Sequence, residues 1–131
     1  MNDLREKIRE TIETNDVVVF MKGTPEMAMC GNSERALHAL RTVGTGFAAV
    51  DVLPDPQIRQ ELSALSSWPT IPQVFVKGEL VGGADITEEI AQSGELEATL
   101  DSRLGPGWRE TAGRERAVEV TDRPSPFRMA R

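Results

Sequence analysis

The sequence contains little of what disulfide-stabilised, membrane-spanning or nucleic-acid-binding proteins need. It has a single cysteine, Cys30, so neither an internal disulfide nor a Cys-x-x-Cys redox pair can form within the chain. Its longest apolar run, Val17 to Met21, is far shorter than the roughly 20 residues of a membrane-spanning helix. Acidic residues outnumber basic ones by 21 to 15, and the net charge of −6 argues against binding to nucleic acid or anionic lipid.

Aromatic residues are also scarce, at 5% of the chain, but a hydrophobic content of 39% is enough for one packed core. The first residues lack the basic start and apolar run of a secretory signal. A length of 131 residues fits one ordinary domain. We therefore expect a cytoplasmic protein with a single folded domain.

Periodic patterns along the chain predict an α/β fold. Apolar residues recur every four positions from Asn2 to about Thr14, which predicts a helix with Asn2 as its cap. The β-branched and aromatic run Val17 to Met21 is typical of a strand buried on both faces. Later patterns, including a tight hairpin at Gly78, complete the order α-β-α-β-α-β-β-α-α.

Capping residues predict where the helices begin and end. Asp55 followed by Pro56 is a helix start, and Asp85 is expected to cap a later helix. Gly44 is expected to end the helix that follows Cys30. Residues 105–131 differ in composition, with six arginines, three prolines and no lysine. We therefore predict a domain over residues 1–104 and a weakly ordered, arginine-bearing extension over 105–131.

Cys30 lies directly before a predicted helix, with Gly31 and Ser33 after it. Unpaired N–H groups and the helix dipole at such a position stabilise a thiolate, which is the reactive and metal-binding form of cysteine. The alternative is a buried, inert thiol, which is common for a lone cysteine. Composition and spacing alone leave both interpretations open.

Four short motifs decide between them. Together they closely resemble the monothiol glutaredoxin family over roughly residues 1–104, in order and in spacing: Lys22-Gly23-Thr24-Pro25, Cys30-Gly31-Asn32-Ser33, Trp68-Pro69-Thr70-Ile71-Pro72-Gln73 and Gly82-Gly83-Ala84-Asp85. The resemblance implies a thioredoxin fold, with a central mixed four-stranded sheet flanked by helices and a cis peptide bond before Pro72.

The resemblance also implies a groove for glutathione, which carries two carboxylates and one ammonium. By analogy with the family, the groove is formed by Lys22 and Arg59 at the glycyl carboxylate, backbone groups of Thr70 and Ile71 at the cysteinyl part, and Gly83, Ala84 and Asp85 at the γ-glutamyl end. Taken singly, these residues have ordinary interpretations, since the two basic ones suit a solvated surface and Asp85 suits a helix cap.

The function that the resemblance implies is iron–sulfur cluster transfer and iron homeostasis. A [2Fe–2S] cluster needs about four thiolates, and one chain supplies only Cys30. The family's solution is a homodimer in which two glutathione thiols complete the ligand set. The segment from Lys22 to Cys30 resembles the insertion of cluster-carrying members. Expected partners are a BolA-type protein and apo iron–sulfur client proteins, without nucleic acid or membrane.

Two other functions remain open. Cys30 is also the expected nucleophile of a glutathione-dependent oxidoreductase that removes glutathione from proteins, although members with this loop are generally poor at that reaction. An interaction domain with an incidental cysteine would leave Lys22, Arg59 and Asp85 unexplained. Two residues depart from the family pattern: Asn32 replaces the usual aromatic residue, and Ala84 replaces a common cysteine.

Overall fold

A computed structural model describes residues 3–123 and 125–127. The helices and strands follow the predicted order, with one helix and one strand added at the C-terminal end. They are α1 Asp3–Thr14, β1 Val17–Met21, α2 Gly31–Val43, β2 Ala48–Asp51, α3 Pro56–Ser66, β3 Gln73–Val76, β4 Glu79–Gly82, α4 Ala84–Ser93, α5 Glu95–Leu104, α6 Trp108–Thr111 and β5 Arg116–Ala117.

The strands form one mixed sheet in the order β4-β3-β1-β2-β5. The central strand β1 pairs in parallel with β2 and antiparallel with β3. The predicted hairpin at Gly78 joins β3 to its antiparallel neighbour β4. The four predicted strands are therefore present, and β5 is a fifth that the sequence patterns did not indicate.

Helices cover both faces of the sheet, which gives the molecule two hydrophobic cores. Val17, Val19 and Met21 of β1 lie in the core on the side of α2 and α5. Val18 and Phe20 lie in the other core, on the side of α1 and α3. All five residues of β1 are buried, which confirms the predicted two-sided burial of this strand.

Most predicted helix ends are found in place. The Asp55 carboxylate accepts a hydrogen bond of 2.9 Å from the Gln57 N–H and caps α3, and Gly44 ends α2 in the left-handed conformation. The prediction for Asp85 was wrong, because the cap of α4 lies two residues earlier, at Gly83, and the helix begins at Ala84. The Gly83 carbonyl already accepts the Thr87 N–H at 3.0 Å, which places Asp85 inside the first turn. The predicted cap Asn2 lies outside the described residues.

The C-terminal segment differs from the expectation of weak order. Trp108 is fully buried, and its indole N–H donates to the Asp101 carboxylate of α5 at 2.5 Å. β5 extends the sheet beside β2, and the Val118 N–H continues this pairing to the Ala49 carbonyl. Burial of apolar side chains such as Trp108 and Val120 outweighs the charged and proline-containing composition of the segment.

Within residues 3–123 and 125–127, no helix is long and apolar enough to cross a membrane.

Candidate functional site

Cys30 is the residue that directly precedes α2, as the sequence predicts. Its backbone is extended, and its carbonyl accepts the first helical hydrogen bond from the Glu34 N–H at 3.0 Å. Its side chain is partly buried. Partial burial raises the pKa of the thiol. The first-turn N–H groups of Ser33 and Asn32, the Ser33 hydroxyl and the charge of Lys22 outweigh that effect, and the pKa lies below the ordinary value.

The segment from Lys22 to Met29 fixes the lysine beside the thiol. The Lys22 N–H donates to the buried Ser33 hydroxyl at 3.0 Å, and the Lys22 carbonyl accepts the Met29 N–H at 2.9 Å. Gly23 has a φ of 93°, and a side chain there would collide with the Met27 carbonyl. Only glycine allows this tight return of the chain, which brings the lysine and the start of α2 together.

A cleft lies between the start of α4 and the loop before β3, and we call it the α4 cleft. Five of the predicted site residues line it together with Asn32, namely Thr70, Ile71, Gly83, Ala84 and Asp85. Gly83 and Ala84 present the start of α4, whose first N–H groups have no partner within the helix and favour an anion. The Ile71–Pro72 peptide bond is cis. The cleft thus joins a positive helix end to the Asp85 carboxylate.

Two side chains of the motif around Pro72 organise the loop side of the α4 cleft. Gln73 is fully buried, and its amide donates to the carbonyls of Trp68 and Thr70 at 3.0 and 3.1 Å. The buried indole nitrogen of Trp68, which also lines the cleft, has no hydrogen-bond partner among the described residues. One buried N–H donor beside the cleft is therefore unpaired among the described residues.

The predicted cationic residues line a second, neighbouring cavity. Lys22 and Arg59 share it with Val52, Leu53 and Pro56. One Nη of Arg59 donates to the Pro69 carbonyl at 3.4 Å, directly before Thr70 of the α4 cleft. The structure therefore places the seven predicted binding residues in two neighbouring cavities. The Cys30 thiol interacts with the backbone of Asn32, which lines the α4 cleft, and with the charge of Lys22, which lines the second cavity.

A set of charged residues at the rim of the α4 cleft was not predicted. Arg35 of α2 forms ion pairs with Asp85 at 2.8 Å and with Glu88 at 2.9 Å, and it donates to the Asn32 side-chain oxygen at 3.1 Å. Arg35 and Glu88 are 53 positions apart in sequence, so no local pattern signals their pairing. The role of Gln73 could have been found from the sequence, because a polar residue at the start of an otherwise apolar strand indicates a buried hydrogen-bonding side chain.

Exposed apolar side chains surround the same region. The large hydrophobic residues that are exposed in the described part of the chain are Met27, Met29, Leu53 and Ile86. Two of them belong to the segment before Cys30, Leu53 lines the Lys22–Arg59 cavity, and Ile86 lines the α4 cleft. An apolar border around a charged site is typical of a surface that contacts another molecule.

Comparisons with known proteins show which family this chain is similar to. The family model described as Glutaredoxin matches residues 17–81. Glutaredoxin 4 of Escherichia coli strain K12 is 42% identical over 119 residues, which are 91% of this chain and 96% of that protein. The probable monothiol glutaredoxin GrlA of Legionella pneumophila is 53% identical over 83 residues, which are 63% of this chain and 93% of that protein.

Solved structures extend the likeness to three dimensions. The solution structure of a monomeric truncated mutant of Trypanosoma brucei 1-C-Grx1 superposes with a TM-score of 0.69 at 42% identity. The superposition covers 75% of this chain and 89% of that one. Sequence motifs, sheet topology and relatives thus agree that this chain belongs to the monothiol glutaredoxin family and has the family's thioredoxin fold.

Proposed function

We propose that the protein binds glutathione and, as a homodimer, carries a [2Fe–2S] cluster that it delivers to apo iron–sulfur proteins. The observation that carries this proposal is the position of Cys30. Its thiol has a lowered pKa, lies at the start of α2, and interacts with Asn32 of the α4 cleft and with the charge of Lys22 from the Lys22–Arg59 cavity. The charged groups beside the thiol suit the carboxylates and the ammonium of a thiol-bearing tripeptide. The thiolate itself suits a metal cluster.

Glutathione fits the chemistry of the two adjacent cavities. Its ammonium requires a carboxylate, which Asp85 supplies, and the neighbouring carboxylate requires N–H donors, which the start of α4 supplies. Its second carboxylate requires positive charge, which Lys22 and Arg59 supply. The backbone at Thr70 and Ile71 lies between these ends and is available to the middle of the peptide.

The cluster is cargo that one chain cannot hold alone. Cys30 is the only cysteine in the sequence, whereas the cluster needs about four thiolates. Two copies of Cys30 and two glutathione thiols make up that number. The exposed side chains Met27, Met29, Leu53 and Ile86 border the site and favour its coverage by a second copy or by a recipient protein. Glutathione ligands exchange with solution, which suits a cluster that is passed on.

The partners in this proposal are a BolA-type protein and apo iron–sulfur clients, and the place of action is the cytoplasm. The lone thiol supports a reducing compartment, because Cys30 must stay unoxidised to serve as a ligand.

Anaerobic reconstitution with iron, sulfide and glutathione tests the proposal. The expected result is visible absorbance of a [2Fe–2S] cluster together with a shift from monomer to dimer in gel filtration. Both should be lost in Cys30→Ser and when glutathione is omitted. Ser93→Ala, at the far end of α4, is a matched control that should reconstitute fully. A cluster that forms in Cys30→Ser, or without any small thiol, would refute the proposed ligand set.

The lowered pKa of Cys30 also favours a second candidate function, the removal of glutathione from proteins. In that reaction the Cys30 thiolate attacks the glutathione sulfur of a mixed disulfide and releases the protein thiolate. A second glutathione thiolate then attacks the Cys30–glutathione disulfide, which releases oxidised glutathione and restores Cys30. Rapid turnover of a glutathionylated protein by the colourless monomer would favour this enzyme over the carrier.

A further inference from the structure

Arg35 connects the start of α2 to two acidic residues of α4, Asp85 and Glu88. Its Nε and one Nη donate to the two oxygens of Glu88 at 3.2 and 2.9 Å. The same Nη lies 2.8 Å from one Asp85 oxygen, and the other Nη donates to Asn32 at 3.1 Å. Asp85 and Asn32 both line the α4 cleft. Arg35 is therefore bound to two residues of the cleft where the proposed function places the γ-glutamyl end of glutathione.

The two carboxylates do not share Arg35 equally. Glu88 receives two parallel hydrogen bonds, which is the strongest geometry between a guanidinium and a carboxylate, and this contact lowers the pKa of Glu88. Asp85 receives one contact and remains 89% exposed. Its second oxygen is thus open to solvent, although the nearby positive charge partly neutralises the group. A ligand ammonium that approaches Asp85 meets a carboxylate that already has a cationic partner.

We propose that Arg35 is a specificity-determining residue that competes with the ligand ammonium for Asp85, and that Glu88 limits this competition by holding the guanidinium. The inference rests on the proposed binding of glutathione and adds two residues that tune it. Asn32 contributes through its hydrogen bond to the same guanidinium. The Asn32–Arg35–Glu88 set thereby adjusts how strongly the cleft holds a zwitterionic end group.

The competition should be measurable but modest. The Arg35–Asp85 pair is largely exposed, and exposed pairs of this kind change an affinity by about two- to fivefold. Removal of the guanidinium in Arg35→Gln should therefore strengthen glutathione binding by about two- to fivefold. Loss of the restraining carboxylate in Glu88→Gln leaves Arg35 to Asp85 alone, and glutathione binding should weaken by about twofold.

Titration of the full chain with reduced glutathione tests these values. The titrations use a Cys30→Ser background, which prevents thiol chemistry, with isothermal calorimetry or NMR shifts as readout. N-acetylated glutathione, whose γ-glutamyl nitrogen is uncharged, is the second probe, and Arg35→Gln should not strengthen its binding. Arg103→Gln removes an equal charge from an ion pair with Glu79 and should leave both affinities unchanged.

Each outcome decides the inference. Tighter binding of glutathione, but not of the acetylated form, by Arg35→Gln supports competition for the ammonium. Unchanged or weaker glutathione binding by Arg35→Gln overturns it, and the weaker case would mean that Arg35 contacts a ligand carboxylate. If Glu88→Gln lowers the affinity for glutathione equally in the parent and in Arg35→Gln, the restraining role of Glu88 is overturned. If the Arg35-containing parent binds no glutathione, the proposed function fails together with this inference.

Discussion

Trp108 offers the sharpest test of how the C-terminal segment contributes to the fold. Its ring is 0% exposed and belongs to the core formed with α2 and α5. Full burial of a large aromatic side chain removes about 150–250 Å² from water, which corresponds to ~4–6 kcal/mol at 25 cal/mol per Å². Measured truncations of buried aromatic residues to alanine cost about 3–5 kcal/mol, so Trp108→Ala should lower the free energy of unfolding by that amount.

This loss should be visible as a large change in melting temperature. An unfolding entropy of about 2.1 cal/mol/K per residue gives a change of about 3.5 °C per kcal/mol for a chain of this size. Trp108→Ala should therefore lower the Tm by about 10–18 °C, as measured by far-ultraviolet circular dichroism. Deletion of residues 105–131 should cost at least as much, because it removes the same ring and β5.

Arg109→Ala is the matched control for Trp108→Ala. The Arg109 guanidinium lies 4.2 Å from the centre of the Trp108 ring and is partly exposed, so its loss should cost only about 0.5–1 kcal/mol. A decrease in Tm below about 3 °C for Trp108→Ala would correspond to less than about 1 kcal/mol. That result would refute a buried position of the ring and restore the expectation of a weakly ordered segment.

Three further predictions concern the site. Ser33→Ala removes a hydroxyl that favours the thiolate, so the pKa of Cys30 should rise and alkylation by iodoacetamide should shift to higher pH; an unshifted profile would contradict this role. Gly23→Ala should lower the free energy of unfolding in urea by about 1–3 kcal/mol. Gly78→Ala should cost clearly less, because Gly78 has a similar φ but no neighbouring atom that a side chain would meet. Equal losses would argue against the steric explanation. Gln73→Leu removes two hydrogen bonds to the preceding loop, so the free energy of unfolding should fall by about 1–2 kcal/mol and amide exchange over residues 68–72 should become faster. Unchanged exchange would show that other contacts hold the loop.

The features that could be predicted from the sequence have local signals. A glycine or proline at a turn, an acidic cap and a β-branched run each act within a few residues, and they located β1, the hairpin at Gly78 and the end of α2 at Gly44. The cap of α4 was predicted at Asp85 rather than Gly83, since an acidic side chain suits both the cap and the first turn.

The features that could not be predicted depend on contacts between distant residues. Trp108 lies among prolines, arginines and glycines, and only its fit against α5 shows that it belongs to the core. Arg35 and Glu88 look like ordinary surface charges on separate helices until the packing of α2 against α4 brings them together. Tertiary packing overrides local composition in both cases.

The C-terminal segment is also hydrogen-bonded to the segment that precedes Cys30. One Asp51 oxygen accepts the N–H groups of Gly23 and Leu53, each at 2.9 Å, and the other accepts the Ser125 hydroxyl. The Thr24 hydroxyl donates to the Phe127 carbonyl at 2.9 Å. Residues 125–127 are therefore bound to the start of the segment that leads to Cys30.

This connection bears on the electrostatics of the site. The segment from Lys22 to Met29 determines where the lysine stands, and the charge of Lys22 is one of the causes that lower the pKa of Cys30. Asp51 accepts hydrogen bonds from Gly23 of that segment and from Ser125, so the C-terminal segment contacts the neighbourhood of the lysine. The residue that follows Lys22 and Ser125 thus share one carboxylate although 102 positions separate them, and only the folded arrangement reveals this shared contact.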